Sequence, residues 1–331
     1  MENAGANISL MDVLGEQSGV SLASLPTAND LHVAQVLTNL SLGYRNDLHI
    51  WRNVLPGVRV ARKKDNIREY TRDDWLRPRA GVRGNGRGPR GGYTVTTQSY
   101  ECISYSMSVD VTDDERNLAS DVDDPDVSGT WYCSDQVNQV VEQLVADLCF
   151  TAGNFATTTT LSGTTQWSDG QSDPNGDIST GKATVAAEIG REPNIGVMGR
   201  AVWTDVMNHP DILARFVNTQ TGIITPAMVA QLWDLDALYI GRAIKVTTKE
   251  GAATDTFANI WGSHMALLHV PTTAQLNAPA FGYTLIYEEE DFLTETWRNG
   301  NGATSDAIRV RLAVDPIALS SVAGYLIIDA T

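Results

Sequence analysis

With 331 residues, 42% of them hydrophobic and 19% charged, the chain can bury a large core and is too balanced for collagen, coiled coil or wholesale disorder. No apolar run reaches the ~18 residues that a membrane-spanning helix needs, and Met1-Glu2-Asn3 opens no export signal. The net charge of −16 is uneven: from Arg52 to Arg90 twelve bases face four acids, while the other 292 residues carry 12 bases and 36 acids.

Residues 1–30 are small and polar and are expected to be an extended arm. Leu31, Val33, Val36, Leu37 and Leu40 have near-helical spacing and predict a short helix. From Val54 to Val111 the pattern is that of a long hairpin. Val58 and Val60 alternate with Arg59 on the outgoing arm. On the returning arm Ile103, Tyr105, Met107, Val109 and Val111 alternate strictly with Ser104, Ser106, Ser108 and Asp110, as in a half-buried antiparallel strand. Between the arms, Arg79 to Gly92 holds six glycines and cannot build a core. An isolated two-stranded ribbon is marginal in water, so such a projection is expected to lie on something else.

A helix is predicted next. Val137, Val140, Val141, Leu144, Val145 and Leu148 fall on one stripe, with Ser134 as N-cap and Gly153 as stop. A polar loop, Trp167 to Pro174, precedes a short helix at 183–189. Helices are then expected at 200–208, 211–217 and 226–233, the last with Thr225 as cap and Pro226 at its first position. Strands are expected at 238–248, 259–270, 281–287, 308–314 and 325–329. The helices and strands follow no βαβ rhythm, which favours α+β.

A basic insert on an acidic body has two candidate partners. One is nucleic acid, bound through Arg52–Arg90. The other is an acidic surface on a second copy of the chain. The acidic body opposes phosphate binding, so self-association is favoured. Two acidic clusters, Asp110–Asp126 and Glu288–Asp291, are either solvated faces or receivers of the basic arm.

Motifs for chemistry fail on context. Gly176 through Gly181-Lys182 resembles a phosphate loop, but Ala183 stands where Ser or Thr is needed and no strand is expected before it. Gly86, Gly88 and Gly91 match a dinucleotide fingerprint only by letter, in a loop with Pro89 inside it. Asp169, Asp173, Asn175 and Asp177 alternate like calcium ligands, yet Pro174 occupies the turn-glycine position, and an Asx-rich turn is expected instead. His264 and His269 would face opposite sides of a strand. Cys102, Cys133 and Cys149 form no CxxC and are expected to be reduced, structural thiols.

The ordered pieces and several local segments carry a resemblance. Trp167-Ser-Asp with Ser172-Asp173-Pro174 and Asp177-Ile178, Asn194 to Trp203 followed by Asn208-His209-Pro210, Gly241-Arg242-Ala243, Trp261-Gly262 and Phe281-Gly282-Tyr283 resemble the major capsid protein of tailed bacteriophages, the Hong Kong 97-type fold. The resemblance covers roughly residues 30–331. It implies an α+β capsid fold with an N-terminal arm and short helix at 1–53 and an extended E-loop at 54–111. A P-domain at 112–193 would carry a spine helix at about 134–153. An A-domain would span 194–305, and strands at 306–331 would return to the core.

Its implied function is structural, with no catalytic residue, cofactor or metal. Copies would assemble as hexamers and pentamers into an icosahedral shell around double-stranded DNA, in the virion, after assembly in the host bacterial cytoplasm. A portal, a separate scaffolding protein and decoration proteins are the implied further partners, and no membrane. Residues 1–30 are too short for the built-in scaffolding segment of some members, and no crosslink is expected from Lys63 or Lys64. The expected inter-subunit contacts are Arg59, Arg62, Lys63, Lys64, Arg68, Arg72, Arg77, Arg83, Arg87 and Arg90. The expected spine-helix core is Val137, Val140, Val141, Leu144 and Leu148.

Overall fold

The computed structural model describes residues 32–33, 49–70, 95–118, 124–216, 224–249, 254–271, 279–300 and 304–331. The first elements are strand β1 (His32–Val33), helix α1 (Trp51–Val54) and strand β2 (Gly57–Val60). β1 occupies two positions of the expected helix at 31–40; the rest of that helix and the arm at 1–30 lie outside the described residues. β3 (Lys64–Tyr70) and β4 (Val95–Glu101) form an antiparallel ribbon, Lys64 opposite Glu101 and Tyr70 opposite Val95. β2, expected as part of that hairpin, instead pairs in parallel with a later strand, Gly57 opposite Thr284. β5 (Ile103–Thr112) keeps the expected alternation from Tyr105 onward, with Tyr105, Met107 and Val109 half-buried and Val111 buried, while Ile103, expected on the same face, is exposed.

After α2 (Asp113–Leu118) comes α3 (Pro125–Phe150), 26 residues and about 39 Å long at 1.5 Å per residue. It begins nine residues before the expected start. Asp124 is the N-cap, accepting from the Asp126 N–H, and Pro125 takes the first helical position. The added turn contains Ser128, Gly129 and Thr130, which carry no apolar period. Gly129 allows close packing on β5, since a Cβ there would lie 2.9 Å from Val109 Cγ1. The buried face runs through Cys133, Val137, Val141, Val145 and Cys149. Val140, expected in this core, is 41% exposed, and Leu144 and Leu148 are half-buried at its edge. The reason is α1: Ile50 and Trp51 cover the side bearing Asn138 and Glu142, so the buried arc is turned away from Val140.

The remaining helices are α4 (Pro174–Ile189), α5 (Arg200–Asn208), α6 (Pro210–Phe216) and α7 (Pro226–Leu232). The remaining strands are β6 (Thr158–Thr160), β7 (Ile195–Gly199), β8 (Ala237–Gly241), β9 (Ile244–Val246), β10 (Phe257–Asn259), β11 (Met265–Leu268), β12 (Gly282–Tyr287), β13 (Leu293–Arg298), β14 (Ser305–Ala318) and β15 (Gly324–Ile328). α4 starts at Pro174 rather than at 183, because the Asp173 side chain caps it at the Gly176 N–H, and it ends at Gly190 with φ 69°. Gly176 and Gly181 hide this helix from sequence periodicity. Gly181 is a contact point, where a Cβ would meet Tyr325 and Leu267 at 2.7 and 2.8 Å.

The first sheet has the order β1-β13-β14-β12-β2, with β5 on the other edge of β14. β14 pairs with β5 from Ser305 to Val314, while its opposite edge serves β13 and then β12. Residues 282–298 therefore belong to the same sheet as β5, not to the unit expected at 194–305. The second sheet has the order β6-β15-β11-β7-β8. Here β7 and β8 are parallel neighbours joined through α5, α6 and α7, so one βαβ unit is present that the sequence pattern did not suggest. α3 lies against β5 and β14 of the first sheet and β11 of the second, and ties the two together.

Candidate assembly surfaces

The base of the β3–β4 ribbon is fastened to its own chain. Lys63 Nζ donates to Glu290 at 2.7 Å and to Ser104 at 3.1 Å, and Arg59 reaches Asp291 at 2.8 Å. Lys64 pairs with Glu101 across the ribbon at 2.7 Å, and Arg62 sits 3.5 Å from Asp65. Burial pushes the Glu290 carboxyl up, but Lys63, Ser104 and Arg311 outweigh it and leave it below the usual carboxylate range. Four of the cations expected to contact other subunits thus have acids at home, and the Glu288–Asp291 cluster receives the basic arm of the same chain. Arg68 is exposed on β3. Arg72, Arg77, Arg83, Arg87 and Arg90 lie outside the described residues.

The second acidic cluster is partly neutralised in the same way. Arg116 pairs with Asp126 at 2.7 Å and with Asp306, and Arg298 pairs with Asp306 at 3.1 Å and with Asp113. This network joins α2, α3, β13 and β14. Asp110, Asp114, Glu115 and Asp124 have no cation partner among the described residues. Glu295, 5% exposed, is held between Arg309 and Arg311 on the neighbouring strand.

The buried centre is Glu142, in the middle of α3. It accepts from the backbone N–H groups of Ile50 at 3.1 Å and Trp51 at 2.9 Å, and from Trp261 Nε1 at 2.5 Å. Burial raises its pKa, against the pull of these three donors and of nearby His49. His49 contacts Asp135 at 3.2 Å and Trp51 Nε1 donates to Asn138. One carboxyl therefore joins α1, α3 and the loop before β11. Its sequence signal is an acid directly after Val141, inside an apolar stripe, which a search for catalytic pairs passes over. Trp261 sits where β8 and the loop cross: a Cβ on Gly241 would lie 2.0 Å from its ring, which explains why the expected strands at 238–248 and 259–270 are each broken.

Each of the calcium-like side chains accepts a hydrogen bond from a protein group. Asp169 accepts from Gln171 N, Asp173 caps α4, Asn175 accepts from Trp233 Nε1 and Asp177 from Trp167 Nε1. Lys182, the lysine of the apparent phosphate loop, lies on α4 and binds the Trp233 and Asp234 carbonyls and Glu192. No metal-binding cluster of His, Cys, Asp and Glu is found among the described residues. Cys102, Cys133 and Cys149 are buried and free, and burial raises the first two thiols to about 11.

What remains exposed and apolar marks surfaces for contact. Ile244, Val246 and Phe257 are 53%, 50% and 63% exposed. They share one face of the β9–β10 ribbon, where Val246 lies opposite Phe257. At the start of α3, Trp131 and Tyr132 are 44% and 49% exposed, and Leu118 at the end of α2 is 86% exposed.

Residues 153–235, from the turn before β6 to the turn before β8, match the family described as phage major capsid protein E. The chain is 26% identical to the major capsid protein of Burkholderia phage BcepMu over 89% of its own length and 95% of that protein. It is 25% identical to the major capsid protein of Pseudomonas phage JBD67 over 75% and 81%. Among solved structures, a phage-related protein from Bordetella bronchiseptica superposes with a TM-score of 0.72 at 24% identity, covering 91% of this chain and 98% of that one. A virus-like particle protein from Pyrococcus furiosus gives 0.53 at 11% identity over 88% and 96%.

Proposed function

We infer that this chain is the major capsid protein of a tailed bacteriophage, built on the Hong Kong 97-type α+β fold and located in the virion shell. The observation that carries this is the match to phage major capsid proteins along nearly their whole length, joined to a fold in which one long helix ties two sheets. Its role is structural. The alternative, nucleic-acid binding through Arg52–Arg90, has lost much of its basis, because Arg59, Arg62, Lys63 and Lys64 are opposed by acids of the same chain.

The mechanism we propose is geometric. Copies associate as hexamers and pentamers into an icosahedral shell that encloses double-stranded DNA without reading its sequence. The ribbon β3–β4 is the root of an E-loop that extends over a neighbouring copy, while the staples Lys63–Glu290 and Arg59–Asp291 fix the angle at which it leaves the body. α3 serves as the spine of a P-domain, and the second sheet, with α5 to α7, as an A-domain. A portal and a scaffolding protein complete assembly, and decoration proteins suit the outer face. The net charge of −16 keeps the wall from adhering to packaged phosphate. Negative-stain electron microscopy of the purified chain tests the reading: closed shells are expected, and a monomer under every assembly condition overturns it.

A further inference from the structure

Two surfaces have no partner among the described residues, and they are opposite in shape and charge. The first is a ridge, the face of the β9–β10 ribbon bearing Ile244, Val246 and Phe257. Arg242 and Lys249, both exposed, flank it, and neither has an ion-pair partner among the described residues. They stand out in a body whose charge outside Arg52–Arg90 is strongly negative. A two-stranded ribbon with one bare apolar face is marginal in water unless something covers it.

The second surface is a groove of ≈ 530 Å³ between β5, α2 and the first turns of α3, lined by Val109, Leu118, Pro125 and Tyr132. Asp110 and Glu115 line it too, and Asp114 and Asp124 lie on the same segments. These are the acids of the cluster that Arg116 and Arg298 leave without a cation among the described residues.

We propose that the β9–β10 ridge of one copy seats in the α2–α3 groove of the next, with Phe257 entering against Leu118 and Tyr132 and the Arg242 and Lys249 rim facing Asp110, Asp114 and Glu115. The occupant is a second copy because a multi-copy shell, on which this inference rests, presents both surfaces at every subunit. A contact between unlike surfaces of identical chains is head-to-tail, and it closes into a ring when the rotation per copy permits. Opposed charges select this pairing over ridge-to-ridge or groove-to-groove contact, where like charges would meet.

The test uses the full chain. Phe257→Cys and Leu118→Cys are made as separate variants, mixed, assembled and oxidised. A covalent dimer is expected on a non-reducing gel from the mixture and from neither variant alone. In parallel, Arg242→Glu/Lys249→Glu and Asp110→Lys/Asp114→Lys are each expected to lower particle yield about tenfold or more, and the chain carrying all four substitutions to recover it. Thermal melting of the unassembled variants should match wild type, because all these positions lie on the surface. Wild type assembling normally while the cysteine mixture gives no dimer, or the reversals leave yield unchanged, overturns the pairing and leaves the shell reading intact. Wild type that never forms particles removes both.

Discussion

Glu142 joins three separate parts of the chain at one buried carboxyl. Its three donors come from α1 and from Trp261, so Glu142→Ala leaves buried N–H groups without acceptors and should lower stability by about 3 kcal/mol or more. Glu142→Gln keeps the shape and should lose less. Its pKa is raised by burial, so between the unfolded value, near 4.5, and its folded value the native state binds more protons than the unfolded one. The contribution of Glu142 to stability must then fall as pH rises through that window. Melting temperatures of wild type and Glu142→Gln across pH 4 to 8 check this: the difference should shift against wild type as pH rises, then level off. Glu290 has the opposite sign. Its carboxyl lies below 4.5, so the staple to Lys63 is present at neutral pH and lost as pH falls through the folded value. Lys63→Ala should weaken that acid dependence, which melting between pH 2 and 5 would register. The staple was invisible in sequence because Lys63 and Glu290 are separated by 227 positions, and only the pairing of β2 with β12 brings them together.

At the scale of elements, α3 separates folding from assembly. Val141 is fully buried, so Val141→Asp places a charge in the core and should abolish soluble expression. Val140, one residue away, is 41% exposed, and Val140→Asp should melt as wild type does. Asp124→Ala removes the cap and should cost about 1 kcal/mol. The tip of the proposed E-loop makes the converse case. Arg83→Ser, Arg87→Ser and Arg90→Ser together should leave melting unchanged while lowering particle yield, because a glycine-rich segment adds little to a core; a melting loss as large as that of Val141→Asp would refute the projecting loop. Elements were legible where one signal was strong: strict alternation for β5, an apolar stripe for most of α3, and Thr225-Pro226 for the start of α7. They were not legible where glycine did the packing. Gly129 and Gly181 each lie at a close contact inside a helix, in a stretch beyond the apolar pattern that announces it. The parallel pairing of β7 with β8 was hidden for another reason, since the three helices between them disguise a single crossover.

At the scale of the molecule, the order of arm, hairpin, long helix and α/β unit read from the sequence carried the family resemblance. Their assignment to sheets did not follow from order: β12 and β13 return to the first sheet, which requires the long β14 to hold partners on both edges. The charge pattern was legible as a pattern, while four of its cations, Arg59, Arg62, Lys63 and Lys64, are answered by acids on the same chain. Assembly should therefore weaken with salt only modestly at the ribbon base, where exposed pairs contribute about 0.2–1 kcal/mol each, and more at contacts that bring the remaining cations to a neighbour. Light scattering across a salt series, with Lys63→Ala compared against the Arg83, Arg87 and Arg90 triple variant, should give the triple variant the larger loss of salt sensitivity. The central claim, a subunit whose native state is a closed shell, is tested most directly by electron microscopy of the purified chain under assembly conditions. The account predicts closed particles of uniform size built from rings of the 35.9 kDa chain; a field of monomers, with the E-loop protected from hydrogen exchange on its own subunit, would contradict it.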